Sequence, residues 1–595
     1  MELFPSNSKT KISDENLSNN KIIPKNSNNI EIYRPDKQNI SQKNPNRFIS
    51  FLTSKVGIIV IAVSIIVIAI GVFLCAYLTR NNADENNIDS EIEEETNYVC
   101  KSKIPSDTLY VKKIDNLPED FILGMDLSSL ISEENSGVKY YNFKGEEKDV
   151  LETLRYVGIN YIRIRIWNDP YDSEGKAYGG GNNDMKAAIK IGKRATKYGM
   201  KILASYHYSD FYADPANQNV PKAWRGLNLE GKAKQAEKFT RHSLQQFKDA
   251  GVDVGMVALG NEINDFFCGE HEWPNIVKIL KACSKATREV LPNAKISVHF
   301  TNPDRPGSMM YFAKSLADNS LDYDIFSVSY YNVWAGDLSC LDQLNDVANT
   351  YDKKIFVAET QYPYTRDNLD SYPNKTPGYD DFLYYPITVQ GQATHIRNLL
   401  NHIHGLKNGI GLFYWEGAWI GVGTKNYYEN LEKWEKYGSG WASNASSSYS
   451  EAYFGGGGST ENQALFDSEG KPLESLKVYN LIKYGNEINT FEDGVEDISV
   501  NPINFSTFSL PNEIKVIDTS DQRSTRNIIW NGELDIEKSK TDEKYEYTGK
   551  ADNIDIKCVF ENNTTEGRRF VCSYYIGNKF LSPLIIKSMI RIREA

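Results

Sequence analysis

Eight short β-rich runs, each followed by a longer stretch of helical periodicity, recur between residues 121 and 415, and this rhythm limits the possible folds more than any other feature of the chain. The runs are "FILGMDL" (from 121), "YIRIRIW" (161), "KILASYHY" (201), "MVALGNE" (256), "KISVHF" (295), "IFSVSYY" (325), "IFVAET" (355) and "GIGLFYW" (409). Alternation of this kind specifies βα units on a parallel sheet. Eight such units specify an α/β fold, the (β/α)8 TIM barrel, expected over residues 119–488. The intervening stretches carry helix signals. "NDMKAAIKIGKRATKYG" opens on an Asn cap and closes at Gly199, "LEGKAKQAEKFTRHSLQQFKDAG" closes at Gly251, and "LESLKVYNLIKYG" follows the eighth run. A doubly wound open sheet is disfavoured because no Gly-rich phosphate turn follows the first run.

In a barrel of this type the chemistry gathers at the C-terminal ends of the strands. Those ends carry Asp126, Arg163, Trp167, His207, Asn261, Glu262, His299, Tyr330, Tyr331, Glu359 and Trp415. The two-residue period of "YIRIRIW" puts Arg163, Arg165 and Trp167 on one face and three Ile on the other. Two guanidiniums aimed into a barrel demand carboxylate or carbonyl partners, because an unpaired buried charge is costly. Glu262 closes "MVALGNE" and Glu359 closes "IFVAE", so strands four and seven would present two carboxylates across the barrel mouth. Opposed carboxylates among aromatics are the equipment of glycoside hydrolysis, one protonating the leaving oxygen and the other attacking the anomeric carbon or activating water. A purely structural reading has both glutamates merely neutralising the arginines. It is the weaker one, since Arg163 beside Glu359 would also hold that carboxyl ionised as a nucleophile, while aromatic shielding would keep Glu262 protonated as the acid.

The segments "GNEI", "AET", "RIRIWNDPYD", "HYSDFYADPANQNVPKAW" and "GLFYWEGAWIGVG" together resemble glycoside hydrolase family 53, the endo-β-1,4-galactanases of clan A, over roughly residues 121–485. The resemblance implies a retaining endo-acting enzyme on β-1,4-galactan, with Glu262 as acid/base and Glu359 as nucleophile. It also implies that Asn261 binds a sugar hydroxyl, that Arg163 and Tyr331 hold Glu359, and that Asp126, His207, Asp210, Asp214 and Trp415 belong to the substrate site. Departures from the family pattern fall at Tyr212, Tyr362, Asn332 and Gly417, and the catalytic pair is not among them. The nearest rivals are another clan A polysaccharidase, such as a mannanase or an endoglucanase, and a surface carbohydrate-binding protein without turnover. The long stretch from Glu416 to Asn462 resembles the bacterial branch of the family. That branch builds a calcium site on the loop after strand seven. Here "RDNLDSYPNKTPGYDDF" lacks the alternating D-x-D-G spacing of a calcium loop, so neither a metal nor another cofactor is expected.

With 67 basic against 79 acidic residues among 595, the formal charge of −12 argues against nucleic acid as a partner. Aromatics reach 12% and Tyr alone 37 residues, suited to stacking on the apolar faces of sugars. The seven Cys show no metal-site spacing. "VGIIVIAVSIIVIAIGVFLCAYL", residues 56–78, is uncharged and long enough to span a bilayer as a signal anchor. Nine Lys/Arg against five acids precede it and an acidic run follows, which places a disordered tail (1–55) in the cytosol and an acidic stalk (79–118) outside. The expected protein is therefore a single-pass, outward-facing membrane protein with a monomeric catalytic domain, release by proteolysis being a variant of that arrangement. Residues 489–595 break into short alternating runs, such as "EIKVIDTS", "EKYEYTGKA" and "DIKCVFE", the pattern of a small Ig-like β-sandwich.

Overall fold

A computed structural model describes residues 98–376, 383, 385, 387–450 and 455–486, together with strand segments between 492 and 586. Eight parallel strands close a barrel in chain order. They are β1 (Ile122–Asp126), β2 (Tyr161–Ile166), β3 (Lys201–Tyr206), β4 (Val254–Leu259), β5 (Lys295–Phe300), β6 (Ile325–Ser329), β7 (Lys354–Glu359) and β8 (Gly409–Tyr414). The helices that follow them in turn are α1 (Val150–Val157), α2 (Met185–Lys197), α3 (Leu229–Asp249), α4 (Trp273–Val290), α5 (Ser308–Asp318), α6 (Gln343–Tyr351), α7 (Val389–Gly405) and α8 (Val478–Tyr484). Closure is made by β1 against β8, where Ile122 pairs with Gly411 and Met125 with Tyr414.

The strand parity expected of a pleated sheet sorts the core into two layers. Ile162, Ile164 and Ile166 of β2, Ile202 and Ala204 of β3, and Ile355 and Val357 of β7 face outward and join the helices in the larger apolar cluster. The residues between them on β3 and β7, Leu203, Phe356 and Ala358, meet Ile122, Met256, Ala258, Ile325 and Phe413 in a second cluster. Farther along the strands, the inward positions turn polar at Arg163, Arg165 and Ser205, and a slip in the β6–β7 register that skips Ala358 breaks the parity at Glu359, which is buried with them. Gly124 is dictated by that inner layer, since a Cβ there would stand 2.3 Å from a ring carbon of Phe413.

Local signals set most helix ends. Asp149, Asp184, Asn228 and Thr388 each accept a backbone N–H as N-caps of α1, α2, α3 and α7. The cap of α2 is thus Asp184 and not the preceding Asn183, whose Nδ2 donates instead to Gly180 O at 2.6 Å.

The segment expected as a solvated stalk is shorter than its composition suggests. Ile104, Leu109, Val111 and Ile114 are buried in the main core, Val111 pairs with Asn486, and Ile104 N–H donates to Asn480 Oδ1 at 2.9 Å. Residues 98–118 therefore belong to the barrel domain, because their apolar side chains bury on the last helix. The tail 1–55, the apolar run 56–78 and the acidic run up to residue 97 lie outside the described residues. Among the described residues no helix is long and apolar enough to cross a membrane.

The C-terminal region contributes two antiparallel sheets. One is ordered β11 (Arg523–Asn527), β10 (Glu513–Asp518), β9 (Glu492–Val495); the other runs from β12 (Ile529–Trp530) through β13 (Lys544–Ala551), β14 (Ile554–Glu561) and β15 (Arg569–Ile576) to β16 (Lys579–Ile586). In the β14–β15 ladder Val559 pairs with Val571, Phe560 with Phe570 and Glu561 with Arg569. Cys100, Cys268, Cys283 and Cys340 are all unpaired thiols.

Gly124→Ala should destabilise the barrel by about 1–3 kcal/mol, the usual cost of overpacking a close contact. Urea unfolding midpoints of the two proteins measure this, and an unchanged midpoint would show that Phe413 gives way freely.

Candidate active site

β2 and β7 deliver the charges around which the site is arranged. Arg163 reaches across the barrel with both terminal nitrogens. Its Nη1 donates to Asp126 Oδ2 at 2.5 Å, and its Nη2 to Glu359 Oε1 at 2.6 Å and Asn261 Oδ1 at 2.8 Å. Tyr331 donates its hydroxyl to the other oxygen of Glu359 at 2.9 Å. Both carboxylate oxygens thus accept charge-assisted or hydroxyl hydrogen bonds, the environment of an oriented acceptor. Two positions on, Arg165 donates to Glu416 Oε1 at 2.5 Å and lies 3.6 Å from Asp126. Glu416 itself is gripped by the hydroxyl of Ser129 at 2.7 Å.

Glu262 lies three residues beyond the end of β4 and not within it, on a left-handed backbone with φ 46°. A non-glycine residue held there stores of order 1 kcal/mol or more, and the bend turns the carboxyl into the cleft. Burial, and next to it the negative charge of Glu359, push the Glu262 carboxyl up to about 8. It is therefore a proton donor at neutral pH. Asn261 precedes it with both ends of its amide engaged, Oδ1 by Arg163 and Nδ2 by Ala213 O at 2.8 Å.

A cleft of about 310 Å³ is lined by Glu262, Glu359, Asn261, His207, Asp214, Tyr331 and Trp415 among others. His207 is buried. Its Nδ1 accepts the N–H of Ala213 at 3.0 Å, so Nε2 carries the hydrogen, and Nε2 has no partner among the described residues. Burial and the two arginines hold His207 well below the ordinary histidine range, so it is a neutral donor for a ligand oxygen. Asp214 opens to the cleft while its carboxylate accepts from Ala216 and Asn217.

Three of the expected substrate residues, Arg163, Asp126 and Asp210, do not line the cleft, and Arg163 is fully buried and engaged by Asp126, Asn261 and Glu359. Asp126 is fully buried and is consumed by Arg163 and by both the N–H and the hydroxyl of Ser128. Asp210 is also fully buried, accepting from Asn168 and from the backbone N–H groups of Asp169 and Lys222, with the Lys222 ammonium at 3.2 Å. Each fixes the frame behind the cleft because its oxygens are already saturated.

Other cleft residues carry no strand-end signal. Tyr212 stacks on Trp441 at 4.3 Å and 8°, and the Lys375 ammonium sits 4.1 Å from the Trp441 ring centroid. Trp334, 55% exposed, stands beside Tyr331 on the same cleft. Lys375 and Trp441 come from long loops, and nothing in a loop's composition says which of its residues fold back over the barrel. Trp334, in "YYNVWAG", was findable as the aromatic next after the strand-six Tyr pair.

Beside the cleft, loops after β7 and β8 bring together oxygen atoms with too few hydrogens. Asp370 accepts from Tyr372 and Gly458 N–H groups, and Glu461 Oε1 from Leu369 N–H. Glu461 Oε2, Asn374 Oδ1 and Ser459 Oγ are buried and lack hydrogen-bond partners among the described residues. Burial and then the charge of Asp370 push Glu461 up to about 9, and burial lifts Asp370 to about 6. Among the described residues no three His, Cys, Asp or Glu side chains gather as a metal group, so the set is two carboxylates with neutral oxygens. That is chemistry for a hard cation such as calcium. The expectation of no metal rested on spacing within one loop, whereas these oxygens come from two.

The family model "Glycosyl hydrolase family 53" matches residues 122–479. An endo-beta-1,4-galactanase of Bacillus subtilis (strain 168) is 48% identical over 390 residues, covering 64% of this chain and 91% of that protein. An arabinogalactan endo-beta-1,4-galactanase of Humicola insolens is 30% identical over 311 residues, covering 50% and 89%. Among solved structures, the Ignisphaera aggregans GH53 catalytic domain superposes with a TM-score of 0.57 at 34% identity, covering 63% of this chain and 99% of that one.

Because Glu359 contributes to the high position of Glu262, Glu359→Gln should lower the titration midpoint of Glu262 by roughly a pH unit, while burial keeps it above that of an exposed glutamate. Carboxyl-carbon NMR of labelled protein reads this directly. A midpoint that stays put would show that the two carboxyls do not sense each other.

Proposed function

The chain belongs to glycosyl hydrolase family 53, and from that membership we propose that it cleaves internal β-1,4-galactosidic bonds of galactan and type I arabinogalactan with retention of configuration. It is an arabinogalactan endo-β-1,4-galactanase. The observation that carries the reading is the unequal treatment of two carboxyls in one cleft: Glu262 is raised and protonated, while Glu359 accepts from Arg163 and Tyr331. Glu262 gives its proton to the departing glycosidic oxygen as Glu359 attacks the anomeric carbon, forming a glycosyl ester and releasing the aglycone. Water then enters, Glu262 takes its proton, and the ester is hydrolysed. Asn261, His207 and Trp415 orient the sugar that reacts, and Asp214 contributes a further polar contact. Tyr212, Trp441 and Trp334 supply flat faces for neighbouring sugars. The mannanase, endoglucanase and lectin alternatives each lack support from the relatives, which carry galactanase names.

The oxygen set at Asp370, Asn374, Ser459 and Glu461 would hold calcium, whose chemistry there is neutralisation of two buried carboxylates. The apolar run 56–78 supports anchoring to a membrane, with residues 1–55 in the cytosol and the monomeric barrel outside, where a polymer too large to cross a bilayer is reached. The C-terminal antiparallel sheets are consistent with an Ig-like module serving as spacer or wall attachment.

On β-1,4-galactan, β-mannan and cellulose, the protein should release reducing ends from galactan alone. Glu262→Gln and Glu359→Gln should each lower the rate by at least about 10²-fold. Cleavage of mannan or cellulose with galactan left intact would overturn the substrate, and binding without products would favour the lectin. In a separate measurement, millimolar calcium should raise Tm relative to a chelator-treated sample, and Glu461→Ala should abolish the difference. Equal Tm values in the two conditions would leave the oxygen set without a cation.

A further inference from the structure

Asn261, His207 and Trp415, which orient the reacting sugar, follow β4, β3 and β8, and Tyr212 and Trp441 extend that half of the cleft. A chain cut internally must also leave across the opposite half, over the loops that follow β4, β5 and β6. Those loops and the helix ends they lead into carry a row of aromatics. Trp334, 55% exposed, stands against Tyr331, whose hydroxyl holds Glu359. Asn302 lines the same cleft, and its carbonyl accepts the hydroxyl of Ser308, the first residue of α5, at 3.3 Å. One turn along α5 comes Tyr311, 52% exposed. The indole N–H of Trp273, the first residue of α4, donates to the Tyr311 hydroxyl at 3.1 Å. Behind the two rings lies buried Phe312, 6.2 Å from Trp273 and 5.6 Å from Tyr311, itself stacked on Phe300 of β5 at 4.9 Å and 6°. Because α4 and α5 begin where β4 and β5 end, this pair sits at the catalytic end of the barrel.

A single exposed aromatic is ordinary on a protein surface. This pair differs on two counts. An indole can only donate, so the Tyr311 oxygen is the acceptor and its own hydrogen is left for a group outside the protein. Packing on Phe312 also holds both rings in place, so little rotamer freedom is lost when a ligand settles on them. A rigid flat face with a hydroxyl donor at its rim complements a pyranose, whose C–H face is apolar and whose edge carries hydroxyls. We propose that Tyr311 and Trp273 form a galactan-binding platform outside the cleft, linked to it through Asn302 and Trp334, that holds the departing segment of the polymer. Binding then depends on chain length, since a short oligosaccharide can span the carboxyl pair without reaching α5. The inference rests on the galactanase reading of the cleft.

Two measurements on the full chain test it. In native gels cast with β-1,4-galactan, the Glu262→Gln protein, which binds without cutting, should be retarded. Adding Tyr311→Ala should weaken the apparent affinity about five- to tenfold, the size of one aromatic stacking contact. In the active protein, Tyr311→Ala should lower the ratio of kcat/KM on long galactan to kcat/KM on galactotetraose by a similar factor. Tyr311→Phe, which keeps the ring, should recover most of that ratio. Unchanged retardation together with an unchanged ratio in Tyr311→Ala overturns the platform and leaves the galactanase standing. An equal loss on long and short substrates overturns it too, because a general disturbance of the fold does not distinguish chain lengths. A parent protein that neither cuts galactan nor is retarded by it overturns the galactanase reading, and the platform falls with it.

Discussion

The polar half of the barrel depends on two guanidiniums that have no access to water. Arg163 and Arg165 are essentially fully buried, and three buried carboxylates, Asp126, Glu359 and Glu416, surround them. Removing one partner from such a set typically costs about 3–5 kcal/mol, since the charge left behind cannot be solvated. The arrangement earns no stability over an apolar core of the same volume. What it does supply is direction: the terminal nitrogens of Arg163 are aimed at oxygens of Asp126, Asn261 and Glu359, which come from three different strands or loops.

Direction explains how two chemically identical side chains come to differ. Glu359 is the last residue of β7, just past a shift in register against β6, and both of its oxygens meet donors. Glu262 hangs from a left-handed bend beyond β4 and faces a second negative charge. The fold sets the two carboxyls apart through what each can exchange with its surroundings, and Arg163 acts directly at Glu359 while it also holds Asn261, the residue before Glu262.

Much of this was legible in the sequence because it follows local periods. Two-residue alternation in "YIRIRIW" foretold which face of β2 is charged, and the eight runs foretold the closed sheet. The glutamate pair became readable once the runs were counted, since strand order then fixes what faces what. The reading faltered where a residue's environment is made by distant chain. Asp210 sits in a motif that looks like a cleft residue, yet backbone N–H groups saturate it. The stretch 98–118 looks like linker by composition, yet a few well-spaced apolar residues dock it on α8. Lys375 and Trp441 meet over one ring through loops whose courses no short-range pattern encodes. The oxygen set of Asp370 and Glu461 escaped a search for spacing within a single loop for the same reason.

The reach of Arg163 has a consequence for how the molecule comes into being. Its contacts are with Asp126, 37 residues earlier, Asn261, 98 residues later, and Glu359, 196 residues later. Contacts this distant in sequence form late, because the intervening chain must be ordered first. A chain that has laid down its first four strands holds Arg163, Asn261 and Glu262, and lacks Glu359. The two carboxyls therefore come to face one cleft only as the ring nears closure, and a partly folded barrel lacks the pair.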